Sequence, residues 1–154
     1  MADPKGAVHP TRVATPETYL GLARAERLDP PPLPGTHTYA PPSKLATSHF
    51  ALAGTWEESP VAATARAGAE IHASIVGKDA YLVLSPPQRG AGDVAVLLDG
   101  HPIADDRAGA DVHHGVVRVD RQRLYHLVSA PTGERHALTL RVAPGVQAYA
   151  FTFG

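Results

Sequence analysis

From about residue 48 to residue 154, apolar and polar residues alternate with a period of two, and this pattern constrains the fold most strongly. Between residues 69 and 75, alanines and isoleucines alternate with Glu70, His72 and Ser74. Successive side chains of a β-strand point to opposite faces, so this alternation indicates half-buried strands. Turn signals such as Asp99-Gly100 and Pro144-Gly145 separate about eight or nine such segments. The pattern predicts an all-β protein, an antiparallel β-sandwich of jelly-roll type.

The first 47 residues have a different composition from the remainder of the chain. They contain nine of the 15 prolines but only three of the 14 glycines. Each proline fixes φ and removes a backbone donor, so the prolines at 30–32, 34, 41 and 42 are incompatible with a helix or a central strand. We therefore predict a proline-rich extended segment over residues 1–47 and a sandwich domain over residues 48–154.

One short helix is predicted within the proline-rich segment. Thr15 suits the N-cap position and Pro16 suits the first helical position. The helix would run from Pro16 to about Leu28 and place Tyr19 and Leu20 on one side. Because its intrinsic propensity is weak, we expect it to depend on docking against the sandwich.

Composition excludes several functional classes. The chain of 154 residues contains no cysteine, which excludes a disulfide framework, a thiol nucleophile, a CxxC redox pair and a cysteine-based zinc site. Its formal net charge of -1 gives no basic excess for binding nucleic acid. No apolar stretch approaches the roughly 18 residues that span a bilayer, so no membrane insertion by this chain is expected. No motif implies a cofactor.

Residues 145–154 are similar to the ending of the DipZ-type proteins, and residues 15–21, 50–56, 79–84, 96–100 and 123–128 resemble other parts of the same family in the same order. DipZ-type proteins are bacterial fusions of a CcdA-like membrane domain, a thioredoxin-like domain and a C-terminal β-sandwich similar to carbohydrate-binding modules. The resemblance covers residues 15–154 and implies the C-terminal accessory domain. The redox CxxC of the family has no counterpart here, so the resemblance does not extend to its oxidoreductase activity.

The resemblance also bears on localisation. The opening residues, Met1 to Lys5, are not followed by the apolar region of a signal peptide. A free-standing chain would therefore be expected in the cytoplasm. A domain excised from a DipZ-type fusion would be expected outside the cytoplasm.

Four residues are candidates for ligand binding. Trp56, the single tryptophan, suits a stacking platform for a sugar ring, with a core or sheet-edge position as the alternative. His113 and His114 are adjacent candidates, and Arg118 belongs to a basic group around Asp120 that could steer an anionic sugar or a partner.

Aromatic residues on the last strands are assigned to the core instead. By a period of two, Tyr149, Phe151 and Phe153 share one face, and a row of core side chains is the ordinary explanation. Tyr125 and Tyr81 are expected to be buried, with the hydroxyl hydrogen-bonded.

No catalytic residue and no metal site is predicted. There is no HxH, HExxH or G-x-S-x-G motif, and Asp105, Asp106 and Asp111 match no calcium-loop spacing. The paired carboxylates Glu57 and Glu58 are sequence neighbours, whereas glycosidase chemistry needs carboxyl groups that face each other across a cleft.

These observations favour a non-catalytic accessory binding module for a carbohydrate or another cell-envelope ligand, associated with a thioredoxin-like redox system. The alternative is a structural domain that orients a thioredoxin-like partner, with Tyr19 and Leu20 as the contact residues. An enzyme is the third and least supported interpretation.

Overall fold

The computed structural model describes residues 14–154, and these residues form antiparallel β-structure without a helix among them. The strands are β1 (Thr18–Tyr19), β2 (Gly35–Tyr39), β3 (Phe50–Glu58), β4 (Ala63–Ala65), β5 (Glu70–Val76), β6 (Asp79–Ser85), β7 (Gly92–Leu98), β8 (His101–Pro102), β9 (Val116–Val119), β10 (Arg123–Ser129), β11 (Arg135–Val142) and β12 (Gln147–Phe153). The all-β antiparallel class predicted from the alternation is confirmed.

Hydrogen bonds join the strands into one curled sheet in the order β10-β6-β12-β4-β3-β5-β11-β7-β8. Beside this path, β1 pairs with β12, β2 pairs with β3 and β9 pairs with β7. We call β10, β6, β12, β4, β1 and β2 the β12 half, and β5, β11, β7, β8 and β9 the β11 half. Strand β3 belongs to both.

Strand β3 passes from one half to the other at Gly54. Phe50 to Ala53 pair with β5 in the β11 half, whereas Trp56 to Glu58 pair with β4 in the β12 half. Gly54 has a φ of 76°, and a Cβ atom on it would lie 2.0 Å from the carbonyl oxygen of Gly68. Only glycine fits this backbone conformation and this close approach, so Gly54 allows the curl of the sheet.

The core is a single hydrophobic cluster that contains buried side chains from both halves. Phe50 of β3 lies 5.2 Å from Phe151 of β12, measured between ring centroids. Ile71 of β5 and Leu140 of β11 are fully buried on the inner side of the other half. Burying each such side chain contributes about 1.5–3 kcal/mol, so the apolar set of every alternating strand is held on the inner side.

The proline-rich segment packs along the sheet. Strand β2 pairs only with β3, from Gly35 opposite Glu58 to Tyr39 opposite Gly54, and is therefore an edge strand. This position suits a segment with prolines on both flanks, since an edge strand leaves backbone groups without a ladder partner. Residues 42–45 lie beside His72 on the outer face of the β11 half. The proposed boundary between residues 47 and 48 stays a prediction.

The predicted helix over residues 16–28 is wrong. Thr18 and Tyr19 pair instead with Phe151 and Ala150 of β12, and the backbone nitrogen of Leu22 donates to the carbonyl oxygen of Ser59. Pairing with the rest of the sheet satisfies these backbone groups, and Leu20 between them is completely buried. Tertiary pairing therefore outweighs the local capping signal, which carries about 1 kcal/mol.

Among residues 14–154, no helix has the length and the apolar character needed to cross a membrane. The interpretation of residues 1–5 as lacking a signal peptide lies outside the described residues.

Candidate functional site

A row of polar side chains crosses the outer face of the β12 half. Glu57 of β3 lies opposite Thr64 of β4, Thr64 lies opposite Gln147 of β12, and Gln147 lies opposite Ser85 of β6. The neighbouring position on each strand carries an apolar residue that points into the core, as in Ala63, which is fully buried. The period of two therefore places one polar residue from each of four strands at the same level of the sheet.

Hydrogen bonds hold this row in place. The Oε1 atom of Gln147 accepts from the Ser85 hydroxyl at 3.1 Å and from the Tyr149 hydroxyl at 2.8 Å. The Nε2 atom of Gln147 donates to Oγ1 of Thr64 at 3.2 Å. The amide is therefore fixed in one orientation, and its second Nε2 hydrogen has no partner among the described residues.

The loop after β6 forms one wall of a groove above the polar row. Gly145 packs so closely on Pro87 that a Cβ atom at Gly145 would lie 2.7 Å from the Cβ atom of Pro87. The groove has a volume of about 590 Å³, and we call it the polar groove. Its lining residues are Glu57, Thr64, Arg66, Pro86, Pro87, Gln88, Arg89, Gly145 and Gln147.

A β-bulge in β12 places Tyr149 and Phe151 on opposite faces of the sheet. The register between β12 and β6 shifts between Ala148 and Phe151, so β12 carries one extra residue there. The extra residue turns Phe151 into the core while the Tyr149 hydroxyl stays with Gln147 on the outer side. The prediction that Tyr149, Phe151 and Phe153 share one face is therefore wrong for Tyr149.

The charges in the polar groove are only partly paired. Arg66 donates to the carboxylate of Glu57 at 2.6 Å. Arg89 and Gln88 have no hydrogen-bond or ion-pair partner within residues 14–154 and are exposed at the rim. The polar groove thus has one positive charge without a counter-ion, that of Arg89, and one side-chain amide without a partner, that of Gln88, among the described residues.

Glu58, the neighbour of Glu57 on β3, is a buried carboxyl group without a hydrogen-bond partner among the described residues. It points to the inner side of β3, has 4% of its surface exposed, and neither oxygen has a hydrogen-bond partner within the described residues. Burial raises the pKa of Glu58 to about 8, because the charged form is poorly solvated there. Glu57 and Glu58 lie on opposite faces of one strand and do not face each other across a cleft, as glycosidase chemistry would require.

The outer face of the β11 half carries a second groove of about 370 Å³ beside Glu70, Asp93 and Arg141. Glu70 accepts from Nε2 of His72 at 2.9 Å and from Nε of Arg141 at 3.2 Å. Asp93 faces Arg118 at 3.8 Å. Each charged side chain that lines this groove therefore has a partner of opposite sign.

Trp56 is fully buried, and its indole nitrogen donates to the carbonyl oxygen of Ala53 at 2.9 Å. Neither face of its ring is open to a sugar, so the stacking interpretation does not fit and the core alternative does. Tyr125 is also fully buried, as expected, with its hydroxyl donating to the backbone carbonyl oxygen of Arg121 at 2.6 Å. Tyr81 was also expected to be buried but is only half-buried. Its ring lies on the outer face and stacks on the ring of His126, with 4.4 Å between the ring centroids.

His113, His114 and Arg118 lie at the β9 end of the β11 half. Both histidines are exposed at the turn before β9, where His114 has a φ of 53°. Arg118 is exposed and paired with Asp93. The structure does not bring these three residues together with Trp56, which is on β3. None of these three residues lines a groove described here, and their proposed role in ligand binding stays a prediction.

The two predicted contact residues separate in the structure. Leu20 is fully buried in the core and presents no surface to a partner. Tyr19 is half-buried, and the guanidinium of Arg24 lies 3.8 Å above the centre of its ring. An apolar groove of about 240 Å³ lies beside Tyr19, Val61 and Tyr149, and Val61 is 70% exposed.

The acidic and histidine groups form pairs rather than a metal-binding cluster. Asp111 accepts from Arg123 at 2.9 Å and from the backbone nitrogen of His126 at 2.8 Å, and the bond with Arg123 lowers the pKa of Asp111. His126 also contacts Asp79 at 2.9 Å through Nε2 and Ala110 through Nδ1. Within residues 14–154, no group of three or more such side chains could hold a metal ion.

Sequence reasoning missed Thr64, Ser85, Gln147 and Arg89. The first three are polar residues at alternating positions of their strands, and in the structure Thr64 and Gln147 are half-buried while Ser85 is buried. Their convergence depends on which strands are neighbours, and β4, β6 and β12 are far apart in the chain. No local signal carries that information.

Comparisons with known proteins support the family features seen in the sequence. The family model described as "Thioredoxin like C-terminal domain" matches residues 15–154. Protein DipZ of Mycobacterium bovis and Protein DipZ of Mycobacterium tuberculosis are each 30% identical to this chain over 148 residues, which is 94% of this chain. The match covers 19% of each relative, so the chain spans about a fifth of their length.

Among solved structures, the fold is similar to a family two carbohydrate esterase from Clostridium thermocellum in complex with cellohexaose. The TM-score is 0.51 and the sequence identity is 20%, over 64% of this chain and 29% of that chain. At this identity the likeness concerns the fold alone.

Proposed function

Since this chain belongs to the family described as thioredoxin-like C-terminal domains, we propose that it is a non-catalytic accessory domain that binds a glycan in the polar groove. The curled sheet is then a jelly-roll β-sandwich of the carbohydrate-binding-module type. Two observations support this finer description: one core cluster joins both halves, and the fold is similar to part of a carbohydrate esterase.

The observation that carries the proposal is the fixed polar row of Thr64, Gln147 and Ser85. A sugar presents several hydroxyl groups at defined positions, and it binds best to polar groups that are already ordered. Gln147 is held by three hydrogen bonds before any ligand arrives. The flat apolar walls of Pro86 and Pro87 suit the C–H groups of a sugar ring.

The surroundings of Ser85 support a binding role rather than hydrolysis. Its hydroxyl contacts Gln147 and Tyr149, and among the described residues no histidine or carboxylate is hydrogen-bonded to it as the general base of a serine nucleophile.

The test is an NMR titration of the ¹⁵N-labelled protein with hexose and N-acetylglucosamine oligomers. We expect saturable shift changes at Thr64 and Gln147, and at least a tenfold loss of affinity for Gln147→Ala. The matched control is Thr139→Ala on the outer face of the β11 half, which should bind as the parent does. The absence of any saturable shift, or shifts confined to the β11 half, would overturn the proposal.

A second candidate function is contact with a thioredoxin-like partner through the apolar groove beside Tyr19. The exposed side chain of Val61 favours it, because a 70% exposed valine next to two tyrosines offers apolar area to a partner. Since Leu20 is buried, the informative variants are Tyr19→Ala and Val61→Ser. They should abolish co-purification with the partner and leave the unfolding midpoint nearly unchanged. Unchanged co-purification would eliminate this function.

A further inference from the structure

The loop of residues 86–90 presents a positive charge to the polar groove. Pro86 and Pro87 restrict the backbone of this loop, and the packing of Gly145 on Pro87 fixes it against the neighbouring turn. Gln88 and Arg89 follow at the rim, where both are exposed. The guanidinium of Arg89 therefore stands at the entrance of the groove on a restrained loop.

The charges of the polar groove do not balance. Arg66 and Arg89 each carry a positive charge, and Glu57 carries the negative charge. The 2.6 Å bond between Arg66 and Glu57 uses that carboxylate. Arg89 has no counter-ion among the described residues. The excess is local, because the chain as a whole has a formal net charge of -1.

The groove on the β11 half shows that this imbalance is specific to one face. There, Glu70 is paired with Arg141 and His72, and Asp93 is paired with Arg118. A charged ligand group would have to break an existing pair in that groove. In the polar groove it would meet Arg89 with its donors free, and a guanidinium binds planar oxyanions through paired N–H donors.

From this arrangement we infer that the polar groove selects glycans that carry an acidic group over neutral ones. The acidic group is bound by Arg89, and sugar hydroxyls are bound by Gln147 and Thr64. This inference rests on the proposed function and adds its substrate class. A carboxylate and a phosphate offer the same oxygen acceptors to a guanidinium, so either can supply the charge.

The experiment compares two pairs of probes by calorimetry: a trigalacturonate against the neutral galactotriose, and galactose 6-phosphate against free galactose. We expect an acidic probe to bind about tenfold more tightly than its neutral counterpart at low salt, with the difference shrinking as salt rises. If the difference appears with the uronate, the ligand charge is a carboxylate. If it appears only with the sugar phosphate, the ligand charge is a phosphate.

Two variants locate the effect. Arg89→Gln should remove the preference for the acidic probe and keep the affinity for the neutral one. Arg121→Gln, which removes an exposed charge elsewhere, should keep the preference. Equal affinities for acidic and neutral probes, or an equal loss in both variants, would overturn the inference while the proposed function stands. Failure of every probe to bind would also overturn the inference, and the proposed function would fall with it only if the titration with hexose and N-acetylglucosamine oligomers shows no saturable shift either.

Discussion

The outer faces of the two halves of the sheet differ in how many of their polar side chains have a partner. On the β11 half, Glu70 is bonded to His72 on its own strand and to Arg141 on the neighbouring strand, and Asp93 faces Arg118. On the β12 half, Gln147 is fixed by neutral partners while Arg89 at the rim has none within residues 14–154. On the β11 half, each of these carboxylates is therefore already paired with a side chain of the protein. The β12 half combines ordered groups with spare hydrogen-bonding capacity, which is what a ligand site needs.

The largest expected effect concerns the point where the two halves join. Gly54→Ala would place a Cβ atom 2.0 Å from the Gly68 carbonyl oxygen at a φ of 76°. We expect the free energy of unfolding to fall by about 4 kcal/mol or more, because strain and a backbone clash add. Urea denaturation measures this loss.

Gly100→Ala is the matched control for Gly54→Ala. Gly100 has a φ of 86°, but nothing lies within 4 Å of the added Cβ atom, so a loss of about 1 kcal/mol is expected. Equal losses for the two variants would show that the contact with Gly68 does not hold the halves together.

The next effect contrasts an unpaired carboxyl group with a paired one. Glu58 has a pKa of about 8 when folded and about 4.5 when unfolded, so its stabilising contribution is complete below pH 4.5 and is lost as the pH rises to about 8. Glu58→Gln should remove this loss and make the protein roughly 3 kcal/mol more stable than the parent at pH 7. Near pH 4.5 the two proteins should differ little.

Urea unfolding at pH 5, 6, 7 and 8 tests this pH dependence. Glu57→Gln, one residue away and exposed, is the matched control and should keep the slope of the parent protein. If the parent and Glu58→Gln lose stability in parallel, Glu58 is not protonated in the folded protein.

The smallest effect is expected at the paired carboxylate of the β11 half. Glu70→Gln weakens the pairs with His72 and Arg141, which are partly solvated, so the free energy of unfolding should fall by less than about 1 kcal/mol. Glycan affinity should stay unchanged, because the polar groove is on the other half. A tenfold loss of affinity in the same titration would assign ligand binding to the β11 half.

The resemblance to DipZ-type proteins, seen in residues 15–154, is confirmed by the family match and by the two mycobacterial relatives. The all-β class followed from the alternation, because hydrophobic burial acts on each strand locally. The helix over residues 16–28 was predicted from capping residues and proved to be an extended segment with β1. A cap stabilises a helix by about 1 kcal/mol, whereas burial of Leu20 and pairing with β12 together exceed that amount.

The site followed a similar division. Trp56 attracted attention as the single tryptophan, yet its burial in the core leaves no face for a ligand. Gln147 gave no special signal, because an outward polar residue on a strand is common. It matters because Thr64 and Ser85 lie beside it, and each of those contacts joins residues more than 60 positions apart.

By itself, the sequence determined the strand pattern, the absence of thiol chemistry and the family, since periodicity, composition and motif order are properties of the chain. Only the tertiary structure decided which strands are neighbours, how β3 turns at Gly54, and that one face pairs its charges while the other keeps Arg89 free. The reason is physical: side chains interact through space, and the curl of the sheet sets distances that no local segment encodes.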